Sequence, residues 1–512
     1  MENLEPDSSK DHPKRIRQSA RDTLLPGQTH NELSSGGILC DECIKLDLPG
    51  IVQEIDQQRS HMGKREYRFR HAVATVCPLC QILIASRCIP KERPYGEEKE
   101  DQEERYEVTT RNPRYLMGLD QSWKNGIEVK ARCLTLIRMD CPKNYMYWFT
   151  DDNEFQTNGG PILLKNSTSP TALSPRMIPR KFEPDTAKSW LSYCINHHKL
   201  LCGSKPEPLH NLQVIDCTSL SIKNGKPGLA YVALSYVWAK SGGACGPVRN
   251  NGGRKQLPEK LSAVVHDSIE VAKALGFRYL WIDKFCIDQN DAALKHDQIQ
   301  QMGSIYQNSA LTIICAAGMD ETYGLPGVGR RARAQQPVVK YQDLTVFWHA
   351  KDPQTSIASS HWSTRGWTFQ EALLSRRRLV FTDDQMYFEC RTMNCFESVH
   401  CPLDDLHVKN KTKTYEEIRS GMFGRSREHQ FGKLNHAKAC FNDSLCRYFS
   451  NVEDCSSRTL GYDEDSLNAF NGVLGQFSKE KLSFGHIWGV AYPEYHAVDT
   501  TFPRGHGPAG KA

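Results

Sequence analysis

A chain of 512 residues, 39% of them hydrophobic, is long enough for two to four domains with at least one sizeable core. Its net charge of +5 is small for that length, and basic residues are interleaved with acidic ones, so composition argues against nucleic acid as a partner. The sequence contains no apolar signal core and no run of about 18 apolar residues, which predicts a cytoplasmic protein without a membrane span.

The first third of the chain divides by composition. Residues 1–36 are rich in Ser, Asp, Lys, Arg and Gly without apolar periodicity, and we expect them to be disordered. Residues 37–150 contain cysteines and the alternating stretch GIEVKARCLTLIRMD, which predicts one small Cys-rich accessory domain. Residues 151–183 are dense in Pro, Ser, Thr, Asn and Gly, as is typical of a linker.

Two C-x-x-C pairs stand out in the accessory region, formed by Cys40 with Cys43 and by Cys77 with Cys80. Each pair can present two thiolates from one tight turn, and two pairs complete the tetrahedral shell of a structural zinc ion. His71 is a further candidate ligand. The alternative is that the second pair packs on the apolar face of the helix that follows. Because two pairs coincide in a chain without a signal sequence, we favour zinc.

The segment TAKSWLSYCINHHKLLC, after the linker, has the apolar spacing of a helix. It contains the adjacent pair His197 and His198. Adjacent residues on a helix point in different directions, so we interpret these two as a surface and packing pair rather than as metal ligands.

From residue 209 the chain alternates short apolar runs with segments of helical spacing. LQVIDC, YVALSYVW, YLWI and LTIICAA predict buried strands, and Gly276 lies where the first intervening helix would end. Strands alternating with helices are typical of an α/β fold with a parallel sheet flanked by helices.

The stretch YLWIDKFCIDQ, residues 279–289, carries the clearest functional signal. Asp283 follows the predicted strand at its carboxyl end, and in open α/β sheets ligands bind at that edge. A carboxylate there could hold a ribose hydroxyl, a metal or another cation. It could also simply cap the next turn, and the stretch by itself fits both interpretations.

The second chemically dense stretch is HWSTRGWTFQE. A helix from about Arg365 to Leu374 would bury Trp367, Phe369 and Leu373 and bring Glu371 near the edge of the sheet. A glutamate beside a tryptophan in a cleft can be a structural hydrogen-bond acceptor or a catalytic carboxylate in a water-poor pocket. The spacing is compatible with either role.

Three blocks, YVALSYVWA, GFRYLWIDKFCIDQND and RGWTFQEALLS, closely resemble in their order the three sequence blocks of the fungal heterokaryon-incompatibility (HET) domain family, over residues 231–372. The cysteine pairs and the stretch CSSRTLGYDEDSLNAFNGVLGQF resemble the flanking regions of HET proteins. Two positions depart from the family pattern, namely Ala239, where Gly is usual, and Phe285, where Leu is usual.

The resemblance implies a role in non-self recognition and programmed cell death, and a fold similar to Toll/interleukin-receptor (TIR) domains. In enzymatic TIR domains a glutamate in a similar W-C-x-x-E stretch supports cleavage of the nicotinamide–ribose bond of NAD. That likeness makes Glu371 the candidate catalytic residue and NAD the candidate substrate. By position, the residues that could line an NAD pocket are Ser235, Tyr236, Trp238 and Asp283, with Trp281 or Trp367 either stacking on a ring or packing in the core.

The resulting prediction is a HET domain over residues 209–400 and a mostly helical region over 401–512. The implied partners are other incompatibility or NLR-type signalling proteins, with self-association on activation. A non-enzymatic TIR-like oligomerisation module is the alternative. A zinc-dependent nucleic-acid binder is a second alternative, but it would need clustered basic and aromatic residues that this sequence lacks.

Overall fold

The computed structural model describes residues 39–50, 65–69, 77–86, 104–111, 131–138, 155, 157–165, 173–203, 207–240, 245–416, 418–423, 441–477, 484–487 and 490–493. The chain divides into two compact units, one formed by Met1–Ile178, Ala334–Thr355 and Ser398–Asp405 and the other by Pro179–Arg333, Ser356–Glu397 and Leu406–Ala512. Among the described helices, none combines the length and the apolar character that crossing a membrane requires.

The helices are, in chain order, α1 (Asp41–Lys45), α2 (Pro78–Ala85), α3 (Pro184–His197), α4 (Lys199–Cys202), α5 (Ala263–Ala274), α6 (Asp283–Cys286), α7 (Ala292–Gln300), α8 (Met302–Asn308), α9 (Pro353–Ala358), α10 (Gly366–Leu374), α11 (Phe441–Ser456) and α12 (Asn468–Phe477).

The strands are β1 (Arg65–Phe69), β2 (Glu104–Arg111), β3 (Ala131–Arg138), β4 (Gly160–Lys165), β5 (Ser174–Pro175), β6 (Gln213–Asp216), β7 (Ser221–Asn224), β8 (Val232–Ser235), β9 (Arg249–Asn251), β10 (Arg254–Gln256), β11 (Tyr279–Trp281), β12 (Leu311–Cys315), β13 (Val338–Tyr341), β14 (Leu344–His349), β15 (Arg377–Phe381), β16 (Met386–Cys390), β17 (Asn394–Phe396), β18 (Val399–His400), β19 (Phe484–Ile487) and β20 (Val490–Pro493).

The first unit is built on a six-stranded antiparallel sheet in the order β1-β2-β3-β4-β14-β13. Helix α2 contributes Leu79, Ile82 and Leu83 to a core that also contains Leu134 and Leu136 of β3. Strand β4, which pairs with β3 and β14, lies inside the stretch whose composition predicted a linker. The cysteine pairs therefore belong to the same apolar core as the sheet.

The second unit contains a ten-stranded sheet in the order β17-β16-β15-β12-β8-β11-β6-β7-β10-β9. The predicted α/β class is confirmed. The parallel pairing predicted for the sheet is correct only for the four central strands, β15, β12, β8 and β11, and the described pairings on both flanks are antiparallel. The flanks differ because short turns join β15 to β16, β16 to β17 and β6 to β7, and a short turn can only produce an antiparallel pair.

The direction in which the chain adds strands to the central part of the sheet reverses at β8. The chain passes from β8 through α5 to β11 on one side of β8, then through α6, α7 and α8 to β12 on the other side. Helix α5 ends as predicted at Gly276, whose φ of 87° is the left-handed conformation that glycine adopts most readily. In doubly wound sheets such a reversal opens a crevice at the carboxyl ends of the strands, which is where ligands bind.

Helix α10, which precedes β15, is fixed by close packing against α8 and α12. A Cβ added at Gly472 of α12 would lie 2.7 Å from Leu374 Cδ1 and 2.9 Å from Gly303 Cα of α8. Phe369 of α10 stacks with Phe470 of α12 at a ring separation of 6.1 Å. Glycine at two facing positions therefore allows three helices to meet without space for a methyl group.

We expect Gly472→Ala to destabilise the protein by about 1–3 kcal/mol, because the added methyl group overpacks this contact. Gly475 lies on the same helix, and a Cβ there meets nothing within 4 Å. Gly475→Ala is therefore the matched control and should be neutral or stabilising by up to about 1 kcal/mol. Urea denaturation of both variants measures the difference, and equal shifts of the two midpoints would contradict the packing argument.

Candidate functional site

Helix α10 turns a carboxyl group into the interior of the second unit. The helix begins after Arg365, as predicted, and it buries Phe369. Trp367, which was also predicted to be buried, is only half-buried, and its indole N–H faces Asp465 at 3.4 Å. Glu371 is instead buried despite its carboxyl group, with 4% of its surface exposed.

Glu371 is held by a short chain of hydrogen bonds that ends on the central strand. Ser235, the last residue of β8, donates from Oγ to Glu371 Oε2 at 2.5 Å. Trp362 donates in turn from Nε1 to Ser235 Oγ at 2.8 Å, and its ring is fully buried. The Tyr306 hydroxyl of α8, which donates to Leu234 O at 2.9 Å, also lies against the Glu371 carboxyl. Strand, helix and turn thus converge on one carboxyl group.

The environment of Glu371 favours its neutral form. Burial raises the pKa of Glu371 to about 8, and the negative charge of Asp283 acts in the same direction. The hydrogen bond from Ser235, the contact with the Tyr306 hydroxyl and the charge of Arg365 oppose the shift. A carboxyl group with this pKa is mostly protonated at neutral pH and ionises when a positive charge approaches.

A second layer of polar residues lies nearer the surface, where the strands β8, β11 and β12 end. Trp238, 39% exposed, donates from Nε1 to Asp283 Oδ1 at 3.3 Å, and the Lys284 ammonium lies 5.4 Å from the centre of its ring. Lys284 Nζ donates to Glu321 Oε1 at 2.7 Å, and the same oxygen accepts from Ala239 N at 3.4 Å. These contacts tie together the loops that follow the three strands.

Asp283 links the two layers electrostatically. Its side chain is half-buried and accepts from the Lys284 amide at 2.7 Å, at the first position of α6. Burial raises the pKa of Asp283 to about 6 despite that contact and the one from Trp238. Asp283 therefore follows β11 as predicted, and its carboxylate accepts from an amide in the first turn of α6; its role in binding a ligand stays a prediction.

Tyr236 is the most unusual residue of the site. Its hydroxyl is buried, and among the described residues it has no hydrogen-bond partner. Burial raises the pKa of Tyr236 well above 10, and the charges of Asp283, Glu321 and Glu371 add to the shift. A buried phenol without a partner is destabilising by about 1–3 kcal/mol, so it is suited to bonding a polar group of a ligand.

The structure brings together Ser235, Tyr236, Trp238, Asp283 and Glu371, and their role as an NAD pocket stays a prediction. It places Trp281 in the core, fully buried against the Tyr306 ring at 5.4 Å. Sequence reasoning missed four residues that hold the site, namely Lys284, Tyr306, Glu321 and Trp362. Lys284 follows Asp283 directly and Trp362 lies in the stretch HWSTRGWTFQE, whereas Glu321 lies in a turn whose contacts with the other loops only the fold creates.

The two cysteine pairs of the first unit converge on one point. Cys40 and Cys77 are the N-caps of α1 and α2, and Cys43 and Cys80 lie three residues into those turns. Their sulfur atoms all lie within 4.8 Å of one another. Zinc–sulfur bonds of about 2.3 Å in a tetrahedral shell place sulfurs about 3.8 Å apart. The closest observed pairs are separated by 3.4 Å, 3.4 Å and 3.7 Å, which fits a metal centre with four cysteine ligands.

Both sequence interpretations of this segment hold in part. Cys43, Cys77 and Cys80 are buried in the apolar core of the first unit, as packing requires. Packing alone does not explain why sulfurs from two distant segments face each other or why the Cys40 amide points at Cys77 Sγ at 3.5 Å. His71, the additional candidate ligand, lies outside the described residues. The arrangement is therefore compatible with a structural metal such as zinc.

Comparison with known families adds an independent observation to this geometry. Residues 231–371 match the family model described as Heterokaryon incompatibility protein (HET). The chain contains a HET domain. The matched segment includes β8, β11 and β12 with the loops that follow them, and its last residue is Glu371. Ala239, where the HET family usually has glycine, does not have a positive φ and uses its amide to bond Glu321, so the replacement introduces no left-handed strain.

The HET domain also has a curated relative. The chain is 32% identical over 97 residues to "Heterokaryon incompatibility protein 6, OR allele" of Neurospora crassa. The matched segment covers 17% of this chain and 14% of the relative, so the chain spans only a small part of the length of that protein. No solved structure matches the chain.

We expect the stability of the HET domain to fall as pH rises from about 4.5 to about 8, because Glu371 has a pKa of about 8 when folded and 4.5 as its ordinary value. In that window the folded state binds more protons than the unfolded state. The contribution of Glu371 to the free energy of unfolding is therefore complete below pH 4.5 and is lost as pH rises toward 8. The upper limit of the loss is on the order of 5 kcal/mol.

Glu371→Gln removes this titration while keeping the size and most of the hydrogen bonding of the side chain. The difference in unfolding free energy between wild type and variant, measured by denaturation at several pH values, should therefore depend on pH across the same window. A constant difference between pH 5 and 8 would show that Glu371 is not the titrating group.

Proposed function

We propose that this HET-domain chain acts in fungal heterokaryon incompatibility and that its HET domain hydrolyses the nicotinamide–ribose bond of NAD. The observation that carries the catalytic part is the buried Glu371 carboxyl, which Ser235 holds at the end of β8 beside the reversal of the sheet. The incompatibility role is supported by the family match and by the printed name of the Neurospora relative.

The reaction breaks the bond between C1′ of the ribose and the pyridinium nitrogen, and the bonding electrons leave with neutral nicotinamide. Positive charge then develops on the ribose in an oxocarbenium-like transition state. A carboxylate close to that charge stabilises it, and a water molecule adds to C1′ and releases a proton to give ADP-ribose. Glu371 is the group that we assign to this stabilisation.

The raised pKa of Glu371 suits a cationic substrate. Without a ligand the carboxyl is mostly protonated at pH 7, because its pKa is about 8. A pyridinium ring placed nearby favours the ionised form and so lowers that pKa. Glu371 would therefore become a carboxylate when the substrate binds, and the buried site would hold no unpaired charge between turnovers.

The other site residues have roles that follow from their contacts. Ser235 positions the Glu371 carboxyl, and Trp362 fixes Ser235. Asp283 is half-buried and nearer the surface, which suits hydrogen bonds to ribose hydroxyls, and the unpartnered Tyr236 hydroxyl can donate to the same sugar or to a phosphate. Trp238, which is partly exposed, provides an aromatic face for a ring.

A second candidate function, a non-enzymatic TIR-like module that signals by self-association, is favoured by the burial of Glu371. With only 4% of its surface exposed, the carboxyl could serve purely as the acceptor that locks β8 to α10. The two functions differ in whether NAD is consumed and in what Glu371→Gln changes.

For the enzymatic function, we expect purified protein to consume NAD and release nicotinamide, and Glu371→Gln to lower the rate about 100-fold. Removing one electrostatic contact of this kind raises the barrier by on the order of 3 kcal/mol. Chromatographic quantification of NAD and nicotinamide provides the rate, expressed per folded molecule. The same pair of proteins expressed in fungal cells should differ in the cell death that they cause.

Glu389→Gln is the matched control, since it makes the same substitution in a buried carboxyl of the same unit. Glu389 lies on β16, where it accepts from the Tyr387 hydroxyl and from the amides of Met422 and Phe423. Its activity per folded molecule should remain that of wild type. If folded Glu371→Gln protein kills cells as well as wild type and neither consumes NAD, the signalling module is the correct function.

We also propose that Cys40, Cys43, Cys77 and Cys80 hold one structural zinc ion in the first unit, here called the four-cysteine centre. All four positions are then filled by thiolates, as in closed structural sites, and the metal joins α1 to α2. The electrostatics of the cluster support the proposal. The contacts of Cys77 with Cys43 and Cys80 lower the pKa of the Cys77 thiol, which favours the thiolate form that binds zinc.

Elemental analysis of the Cys40→Ser, Cys80→Ser double variant should show one zinc fewer per chain than wild type. The variant should also unfold at a lower temperature, because binding of a structural metal contributes directly to folding. Cys133→Ser, which removes a buried thiol of the same unit outside the cluster, is the control and should keep the full zinc content. Equal zinc content in all three proteins would refute the proposal.

A further inference from the structure

A second group of metal-binding side chains lies in the other unit, outside the carboxyl site. It consists of Cys194, His198, Cys202 and Cys390, and their ligand atoms all lie within 4.8 Å of one another. All four side chains are buried, with at most 1% of their surface exposed. We propose that they form a structural zinc site with three cysteine ligands and one histidine ligand, here called the cysteine–histidine site. This proposal is independent of NAD hydrolysis and of the four-cysteine centre.

Helix geometry brings three of the four ligands together. Cys194 lies in the last turn of α3, His198 follows at the end of that helix, and Cys202 ends α4. The spacing of four residues repeats twice, so the three side chains fall along one face of a nearly continuous helical segment. Cys390, at the end of β16, supplies the fourth ligand from the sheet.

The distances agree with a tetrahedral shell. His198 Nδ1 lies 3.4 Å from Cys390 Sγ. Zinc bonds of about 2.0–2.1 Å to nitrogen and about 2.3 Å to sulfur place such atoms about 3.6 Å apart. The orientation of the imidazole is also fixed in the manner of a metal ligand, because its other nitrogen, Nε2, faces His407 Nε2 at 3.2 Å and the two rings stack.

Two arginine side chains lie beside the cysteine ligands. Arg377 donates from Nε to Cys194 Sγ at 3.1 Å and from a terminal nitrogen to Cys202 O at 3.2 Å. Arg376 donates to the same carbonyl at 3.4 Å. Zinc with three thiolates and one neutral imidazole has a net charge of −1, which a buried arginine offsets. An apolar cluster of protonated thiols would gain nothing from a buried cation at that position.

The site would fasten α3 and α4 to the ten-stranded sheet of the second unit. Trp190 of α3 packs on Phe388 of β16 at a ring separation of 6.2 Å, which is the same junction. Four protein ligands and complete burial leave no position for a substrate, so the chemistry is structural rather than catalytic.

The experiment is a zinc count on purified full-length chains after dialysis against a weak chelator. Wild type should contain two zinc ions per chain, and Cys390→Ser should lose one of them. The Cys40→Ser, Cys80→Ser variant should lose the other one. Cys217→Ser, which removes a buried thiol outside the cluster in the same unit, should keep both. If Cys390→Ser contains as much zinc as Cys217→Ser, the proposal is wrong.

Zinc-edge X-ray absorption on the wild type supplies a second readout that does not depend on the folding of any variant. The two sites together should give seven sulfur ligands and one imidazole nitrogen per two zinc ions. Loss of zinc from the four-cysteine centre in its double variant should leave a spectrum of three sulfurs and one nitrogen. A spectrum with sulfur ligands only would overturn the cysteine–histidine site while leaving the four-cysteine centre intact.

Discussion

The hydrogen bond between Ser235 and Glu371 is the contact on which the arrangement of the HET domain site depends. It connects Ser235, the last residue of β8, to α10, the helix that precedes β15. The two sides of the crevice therefore meet at the Glu371 carboxyl group. The bond lies in the interior, where a charge without compensation would be strongly destabilising. The surrounding structure therefore provides three polar neighbours for Glu371, from Ser235, Tyr306 and, through Ser235, Trp362.

The close helix packing and the loop contacts serve this same geometry at different distances. Gly303 and Gly472 allow α8 and α12 to approach α10, and this fixes the height of Glu371 relative to β8. Nearer the surface, Lys284 and Glu321 join the loops after β11 and β12, and Trp238 rests on that pair. The inner layer, formed by Ser235, Tyr306 and Trp362, thus holds the neutral Glu371 carboxyl in place. The outer layer combines the charges of Lys284 and Glu321 with the exposed ring of Trp238.

Local patterns in the sequence were sufficient for the central elements and insufficient for their neighbours. The apolar runs predicted β8, β11 and β12, and Asp283 and Ser235 follow from their places at strand ends. The antiparallel flanks were missed because a short apolar strand looks the same in either direction, and only its turns decide its pairing. His198 is interpreted from the sequence as a packing residue because it and His197 point in different directions on a helix. Its contact with Cys390, nearly two hundred positions away in the sequence, is created only by the fold.

The burial of Glu371 and the exposure of Trp238 impose a condition on any ligand. Any ligand that reaches the Glu371 carboxyl from the surface meets the outer layer, which contains the Lys284–Glu321 pair and the Trp238–Asp283 hydrogen bond. The Lys284 ammonium is half-buried but the Glu321 carboxylate is almost completely buried, so separating the pair would leave a buried charge without its partner and would be strongly destabilising. A ligand in the crevice would therefore have to leave the Lys284–Glu321 pair intact, and the buried Tyr236 hydroxyl, which has no hydrogen-bond partner among the described residues, is available to bond it.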